Sequence, residues 1–413
     1  MWEPVLDGEL AVAARRAIRE IADSLAAGHG EPCRPADLAL FWAYVAGSFD
    51  DAESHYDSAM DALVAATPNE RHLSLYGGLA GVGWVLAHVS EDGAADHFLD
   101  AVDDGLLTIL DAPQWDASYD LISGLVGFGV YFLERLEHLD TDKPRRGLAR
   151  IVEHLYRTRE ETAGGVSWFT RVELLPEWQR AVSPRGHYNC GVAHGVPGVI
   201  GLLGKIAARP DAPPHARELC LAASTWLEAQ RLPTRSPGWY PARALRDEVE
   251  REATRAAWCY GDPGIAVVRW ATALRLETPV DSAIALARHC ALRDPEACGV
   301  VDPGFCHGAA GLGHLFNRFY QASGEPLFRT AARSWFERAL TMRRPEGVAG
   351  FAAFTSRFEH QDARWVPATS LLEGAAGIAL ALLAACESTE PAWDRLFLSD
   401  LPPRDQQTAP VPS

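Results

Sequence analysis

Leu75-Tyr76-Gly77-Gly78-Leu79-Ala80-Gly81, continued by Val82, Val85, Leu86 and Val89, joins a Gly-x-x-Gly step to apolar residues three and four apart. That spacing predicts a helix with one apolar face. The arrangement returns five more times, with steps that begin at Gly124, Gly195, Gly261, Gly308 and Gly374. Leu125, Phe128, Phe132, Leu133 and Leu136 follow the second step. Leu312, Leu315, Phe316 and Phe319 follow the fifth. Glycine inside a helix costs about 1 kcal/mol relative to alanine. In the first turn it is better tolerated, and there it lets a neighbouring helix approach closely. Longer and more polar helical patterns lie between the steps, such as His215 to Leu232 and Ala331 to Met342. One inner and one outer helix per repeat is the natural reading, and little strand is expected. The repeat argues for one large closed unit over residues 1–400, with a disordered tail at 401–413.

If the steps are equivalent helix starts, the residues just before them gather at one end of the fold. Tyr119-Asp120, Ala193-His194, Cys259-Tyr260, Cys306-His307 and Glu373 would then line one cavity. Converging positive helix ends would favour anions and thiolates there. Cys259 and Cys306-His307 add two thiols and an imidazole to that cavity. Such a set suits Zn²⁺ and leaves its fourth tetrahedral position open, as in catalytic rather than structural sites. Cys190, in His187-Tyr188-Asn189-Cys190-Gly191, stands several residues before its glycine step and is read as non-ligating. His289-Cys290 is read as a structural helical pair. Glu373 is a rim carboxylate or a helix-start carboxylate, with no role assigned.

The bulk composition narrows the function classes. A formal net charge of −17 without a Lys/Arg cluster disfavours nucleic acid and anionic membranes as partners. The longest apolar run, Gly374 to Cys386, is bounded by Glu373 and Glu387 and is too short to span a bilayer. The start, Met-Trp-Glu-Pro, carries no secretory pattern. Eight cysteines without regular spacing suit reduced thiols and a cytoplasmic setting. No phosphate-binding loop is present, so no nucleotide is expected. A sugar-processing α/α barrel would need paired carboxylates, and no strong pair stands beside the glycine steps.

Four motifs together give the chain a specific likeness. They are Tyr119-Asp120-Leu-Ile-Ser-Gly124, Gly191-Val-Ala-His194-Gly-Val-Pro-Gly198, Trp258-Cys-Tyr-Gly-Asp-Pro-Gly264 and Cys306-His-Gly308. With these, from about Leu75 to about Cys386, the chain resembles the lanthionine synthetase C-like family. The resemblance implies an α/α toroid, an inner ring of helices inside an outer one. The family has seven inner helices against the six signals counted here, and the seventh is expected near Leu38 to Val45, without glycines. An extra-barrel insertion has room within 140–190, and Val166 to Val172 is a candidate strand there.

The resemblance also implies a zinc-dependent lanthipeptide cyclase, with Zn²⁺ on Cys259, Cys306 and His307. It makes His194 an acid/base residue and matches Asp120, Tyr260 and Arg255 to functional positions. Each of these has a plainer reading: a core histidine, a helix-capping carboxylate, a packing ring and a surface guanidinium. The implied substrate is a precursor peptide already dehydrated by a separate dehydratase, with the product leaving through a separate exporter. A peptide Cys thiol would add to dehydroalanine or dehydrobutyrine, forming a lanthionine or methyllanthionine ring. Two alternatives stay open: addition of glutathione or another thiol to dehydroamino acids, and a zinc-containing scaffold without turnover.

Overall fold

The computed structural model describes residues 1–407 apart from 50, 91–92, 139–140, 235, 247–250 and 357–362. In chain order its helices are α1 (Gly8–Ala26), α2 (Pro35–Val45), α3 (Ala52–Ala66), α4 (Leu79–Val89), α5 (Asp96–Leu110), α6 (Leu125–His138), α7 (Asp142–Thr158), α8 (Glu177–Val182), α9 (Val196–Ala207), α10 (Ala216–Ala229), α11 (Asp262–Arg275), α12 (Asp281–Leu292), α13 (Ala309–Ser323), α14 (Pro326–Thr341) and α15 (Ala375–Cys386). Helices α2, α4, α6, α9, α11, α13 and α15 each pack on the next, and α15 packs back on α2. Outside them α3, α5, α7, α10, α12, α14 and α1 cover the same seven in turn. The fold is an all-α double ring, the α/α toroid. The seventh inner helix is α2, where Leu38 to Val45 had placed it.

Composition explains which ring each helix joins. Inner helices are apolar on nearly every side, and all of Ala80 to Ala87 in α4 is buried. Outer helices keep one apolar face. In α7, Leu148, Ile151, Val152 and Leu155 point inward, while Arg146 and Arg157 are exposed. No helix among the described residues is long and apolar enough to cross a membrane.

The glycine steps work differently from expectation. Each begins an inner helix, but the close neighbour is the loop of the same repeat rather than an adjoining helix. A Cβ on Gly81 would sit 1.9 Å from the carbonyl oxygen of Leu75, and one on Gly311 would sit 1.8 Å from that of Phe305. The loop needs this contact because its own carbonyls cap the helix. Leu79 N–H donates to His72 O at 2.9 Å, Ala309 to Asp302 O at 2.9 Å and Ala375 to Ala368 O at 3.1 Å. Orphan donors of the first turn are thereby satisfied by backbone seven residues upstream, without side-chain caps.

The loops also bond to one another around the ring. Leu121 N–H donates to Ala193 O, Ala193 to Cys259 O, Cys259 to Cys306 O and Cys306 to Leu372 O, at 3.2, 3.4, 3.3 and 2.7 Å. At α2, which lacks a glycine loop, the Asp37 carboxylate accepts from Leu371 N–H at 3.2 Å and continues the belt.

Between α7 and α9 the chain forms β1 (Glu160–Thr162), β2 (Gly165–Ser167), β3 (Phe169–Thr170), α8 and β4 (His187–Asn189). Val166 to Val172 therefore contains parts of two strands, with Trp168 between them. Strand β5 (Arg243–Ala244) joins from beyond α10, giving an antiparallel sheet in the order β3-β4-β5. A second excursion was not expected: β6 (Arg343–Val348), β7 (Ala353–Ser356) and β8 (Ala363–Val366) lie between α14 and α15.

Of the tail expected from 401 onward, residues 408–413 lie outside the described residues. Before them the chain is packed: Leu401 is buried, and Arg404 N–H donates to Gln321 O at 2.9 Å. The preceding turn, Trp393–Phe397, is buried against α6. Its Asp394 carboxylate accepts from Arg318 Nε at 2.7 Å and Nη2 at 2.8 Å, and lies 2.7 Å from His314 Nε2. All three residues are buried.

Arg318→Met should therefore leave a buried carboxylate with too little positive charge and cost about 3–5 kcal/mol. Urea unfolding of both proteins checks this. The Arg318 guanidinium holds the Asp394 carboxyl far below its ordinary value, against the opposing effect of burial. The stability this contributes is present above the unfolded carboxylate pKa of about 3.9 and is lost as pH falls towards the folded value. The gap between wild type and variant should narrow in acid.

Candidate metal centre

Cys259 and Cys306 occupy the same place in their repeats, two residues before the first glycine of the step. Helices α11 and α13 are ring neighbours, and the N–H groups of Trp258 and Cys259 both donate to Cys306 O, at 3.1 and 3.3 Å. The belt thus brings the two thiols side by side. His307 follows Cys306 directly. One donor atom from each of Cys259, Cys306 and His307 lies within 4.8 Å of the others. That separation suits bonds of about 2.0–2.3 Å to one shared ion. Cys259 and Cys306 are only 7% and 9% exposed, so water competes little for the donors.

Within the cluster each donor shifts its neighbours. The side chain of Cys306 hydrogen-bonds Cys259 and, with His307, pulls the Cys259 thiol well below its ordinary value despite burial. The same contact and burial push Cys306 well above it. Arg255, an exposed residue at the rim, favours both thiolates through its charge. Glu373, also at the rim, opposes it at Cys306. The expected gift of the helix dipoles is reduced, because backbone carbonyls already take the first-turn N–H groups.

Beside the cluster stands an ion pair. His194 Nδ1 lies 2.6 Å from Asp120 Oδ2. The other carboxylate oxygen accepts from Ser123 N–H at 2.8 Å and Ser123 Oγ at 3.1 Å, which fixes the carboxylate. Burial lowers the His194 pKa, and the Asp120 carboxylate more than reverses this, so the imidazole is more basic than usual. The opposite ring nitrogen, Nε2, is left for other partners. Ala193 N–H bonds to Cys259 O, so the belt sets His194 beside the thiol loop. The Tyr260 ring stacks on His194 with centroids 6.1 Å apart. Burial raises the Tyr260 pKa, and the hydroxyl accepts from Asn189 Nδ2 at 2.9 Å. Its own proton remains free to donate.

Asp120, His194, Tyr260, Arg255, Cys259, Cys306 and His307 thus meet at one end of the ring, with Glu373 at its edge. Cys190 is buried outside the donor cluster, with its thiol pushed up to about 12 by burial. Cys290 belongs to the outer helix α12, and His289 Nε2 lies 3.2 Å from Pro237 O. Two residues escaped the sequence reading. Asn189 positions Tyr260, and the buried Asp302 lies 3.8 Å from His307 Nε2. Asp302 is held by Gly304 N–H at 3.0 Å and Phe354 N–H at 3.1 Å. Both stand six residues before the first glycine of their steps, as Arg255 does. That offset was the available signal.

Comparison with known proteins agrees with this fold. The model of the family described as lanthionine synthetase C-like protein matches residues 36–398. The nisin biosynthesis protein NisC of Lactococcus lactis subsp. lactis is 27% identical over 274 residues. That alignment takes in 60% of this chain and 62% of the length of NisC. A solved structure described as nisin cyclase superposes with a TM-score of 0.73 at 21% identity, over 93% of this chain and 97% of its own. Seven helix pairs in a closed ring, the thiol and imidazole cluster between two glycine loops, and a family model spanning most of the chain lead to one conclusion: the chain belongs to the lanthionine synthetase C-like family.

Proposed function

We propose that the protein is a zinc-dependent peptide cyclase. Its reaction is addition of a peptide Cys thiol to dehydroalanine or dehydrobutyrine in the same peptide, forming lanthionine or methyllanthionine. The observation that carries this reading is the placing of the three-donor cluster beside the Asp120–His194 pair at one end of the ring. The substrate is a precursor peptide whose Ser and Thr have lost water on a separate dehydratase. A separate exporter takes the product. The cytoplasm, where thiols stay reduced, suits Cys259 and Cys306 as ligands.

Cys259, Cys306 and His307 would hold the metal, and the donor chemistry fits zinc with one position to spare. Zinc bound there supplies Lewis acidity that deprotonates a coordinating thiol near neutral pH. Asp302 stands behind His307, and its charge makes the imidazole more basic. The remaining work falls to the protein. Asp120 fixes the His194 ring through Nδ1, so that Nε2 exchanges the proton. The sulfur–carbon bond forms at the β-carbon, and the α-carbon takes up a proton from His194 or, through its free O–H, Tyr260. The thiol proton leaves as the α-carbon gains one, so the product is an isomer of the substrate. Arg255 adds positive charge where an enolate oxygen would develop.

The test uses a dehydrated, Cys-containing precursor peptide. Incubation with the zinc-loaded protein should consume free thiols with no change of mass, and thiol alkylation should separate product from substrate. A mass increase in added glutathione would favour intermolecular addition instead. Thiols consumed no faster than without protein would leave the scaffold reading.

A further inference from the structure

The small sheet β3-β4-β5 turns one face to the site, and that face holds groups the reaction above does not use. In register, Thr170 pairs with His187 and Asn189 with Arg243. Residues directly opposite in an antiparallel pair share a face, and alternate residues along a strand do so too. Thr170, His187, Asn189 and Arg243 therefore form one row. The row faces the cavity, because Asn189 donates to the Tyr260 hydroxyl and Thr170 Oγ1 lies 3.4 Å from the Tyr119 hydroxyl. Tyr188 and Ala244 belong to the other face, where Tyr188 OH donates to Glu160 at 2.6 Å.

Arg243 is half-buried, and its side chain makes no hydrogen bond or ion pair with the described residues. Its neighbours are satisfied: Arg246 pairs with Glu160 at 2.8 Å, and Arg251 donates to Gln230 at 2.6 Å. His187 is 4% exposed, and its Nδ1 is buried with no partner. Burial, and then the charge of Arg243, lower the His187 pKa to about 4, so the ring is neutral at physiological pH. The orphaned ring nitrogen costs free energy unless a partner completes it, and beside it the Arg243 guanidinium has no partner among the described residues. Five N–H donors and no acceptor on the guanidinium mean that a ligand there must bring oxygen.

We propose that Arg243, with His187 beside it, forms a subsite that binds an acceptor oxygen of the peptide substrate, next to the catalytic cavity. This rests on the peptide-cyclase reading and assigns the sheet a role in holding the peptide while its thiol reacts. The oxygen is a main-chain carbonyl or a side-chain carboxylate, and the two are distinguished below. Asn189 on the same row links the subsite to Tyr260, so a peptide seated on Arg243 passes the Tyr260 and His194 rings.

The experiment uses the full-length, zinc-loaded protein and two synthetic peptides. One carries a Cys and a dehydroalanine and can cyclise. The other has Ser in place of that Cys and can only bind. Arg243→Gln should weaken binding of the Ser peptide about tenfold or more, as loss of a charged hydrogen bond does. It should raise KM for the reactive peptide by a similar factor, with kcat within about threefold. Arg243→Lys should recover part of the loss. Zinc content and thermal midpoint should match wild type. Peptides with every Asp and Glu changed to Asn and Gln identify the oxygen. Loss of the Arg243 dependence assigns a carboxylate, and persistence assigns a main-chain carbonyl. Equal affinity of wild type and Arg243→Gln for the Ser peptide overturns the proposal. So does a weakening matched by a lowered thermal midpoint, which would make Arg243 a support of the sheet only. If wild type fails to cyclise the reactive peptide yet binds the Ser peptide through Arg243, the cyclase reading falls and the subsite stands.

Discussion

Cys306→Ala should purify with almost no metal, where the wild-type protein should carry about one zinc per chain. Two donors cannot replace three in a site that already leaves one position open, and ligand sets of this size set zinc affinity directly. The ring should survive. The Cys306 backbone N–H holds Leu372 O at 2.7 Å, and that belt contact does not involve the side chain. Far-UV circular dichroism should therefore remain helical while metal analysis falls to background. Cys259→Ala should behave alike. Full zinc occupancy in both variants would remove the proposed centre. Acid should release the metal from wild type as well, because thiolate and neutral imidazole must both be protonated on release. A thiol adds to dehydroalanine slowly unaided, so the metal-free variant should give slow and mixed ring patterns rather than none.

His194→Asn should keep the zinc and slow cyclisation by about 10²–10⁴-fold, the usual consequence of losing a general acid or base. Its pH dependence has a stated sign. Burial alone would make His194 less basic, but the Asp120 carboxylate 2.6 Å away raises it above the ordinary histidine value. The imidazolium thus persists to higher pH. If His194 delivers the proton to the α-carbon, kcat falls as pH rises through that raised value. Asp120→Asn removes the charge, so the same limb should move to lower pH. A limb that stays in place would assign the proton to Tyr260 or solvent. Measuring kcat across pH for wild type and both variants settles the assignment.

The glycine steps made the ring legible because close packing leaves no freedom at Gly81 or Gly311, where any Cβ would strike a carbonyl. The three-donor cluster was legible because Cys259 and Cys306 sit at one register before two neighbouring steps. α2 was harder to see. It opens on Pro35 and ties into the belt through Asp37 rather than through a glycine loop, so its only signal was an apolar stretch. Asn189 and Asp302 act on functional side chains from across a loop, and such contacts leave no periodic trace. Arg243 was invisible for the same reason: its meaning depends on β5 lying beside β4, although 54 residues of sequence separate it from Asn189. The strands between α14 and α15 rest on pairing that apolar spacing does not encode.

The turn at Trp393–Phe397 also touches both cysteine loops. Trp258 Nε1 donates to Phe397 O at 2.9 Å, and the Phe305 ring lies 5.0 Å from Phe397 and 5.3 Å from Trp393. Trp258 and Phe305 each directly precede a metal-site cysteine. During synthesis, then, both cysteine loops leave the ribosome well before the residues that support them from beneath. Until that turn arrives both loops lack this contact, and pairings between distant segments are slow to form. Aggregation competes in that interval. The support of both cysteine loops is thus among the last parts of the ring to be made.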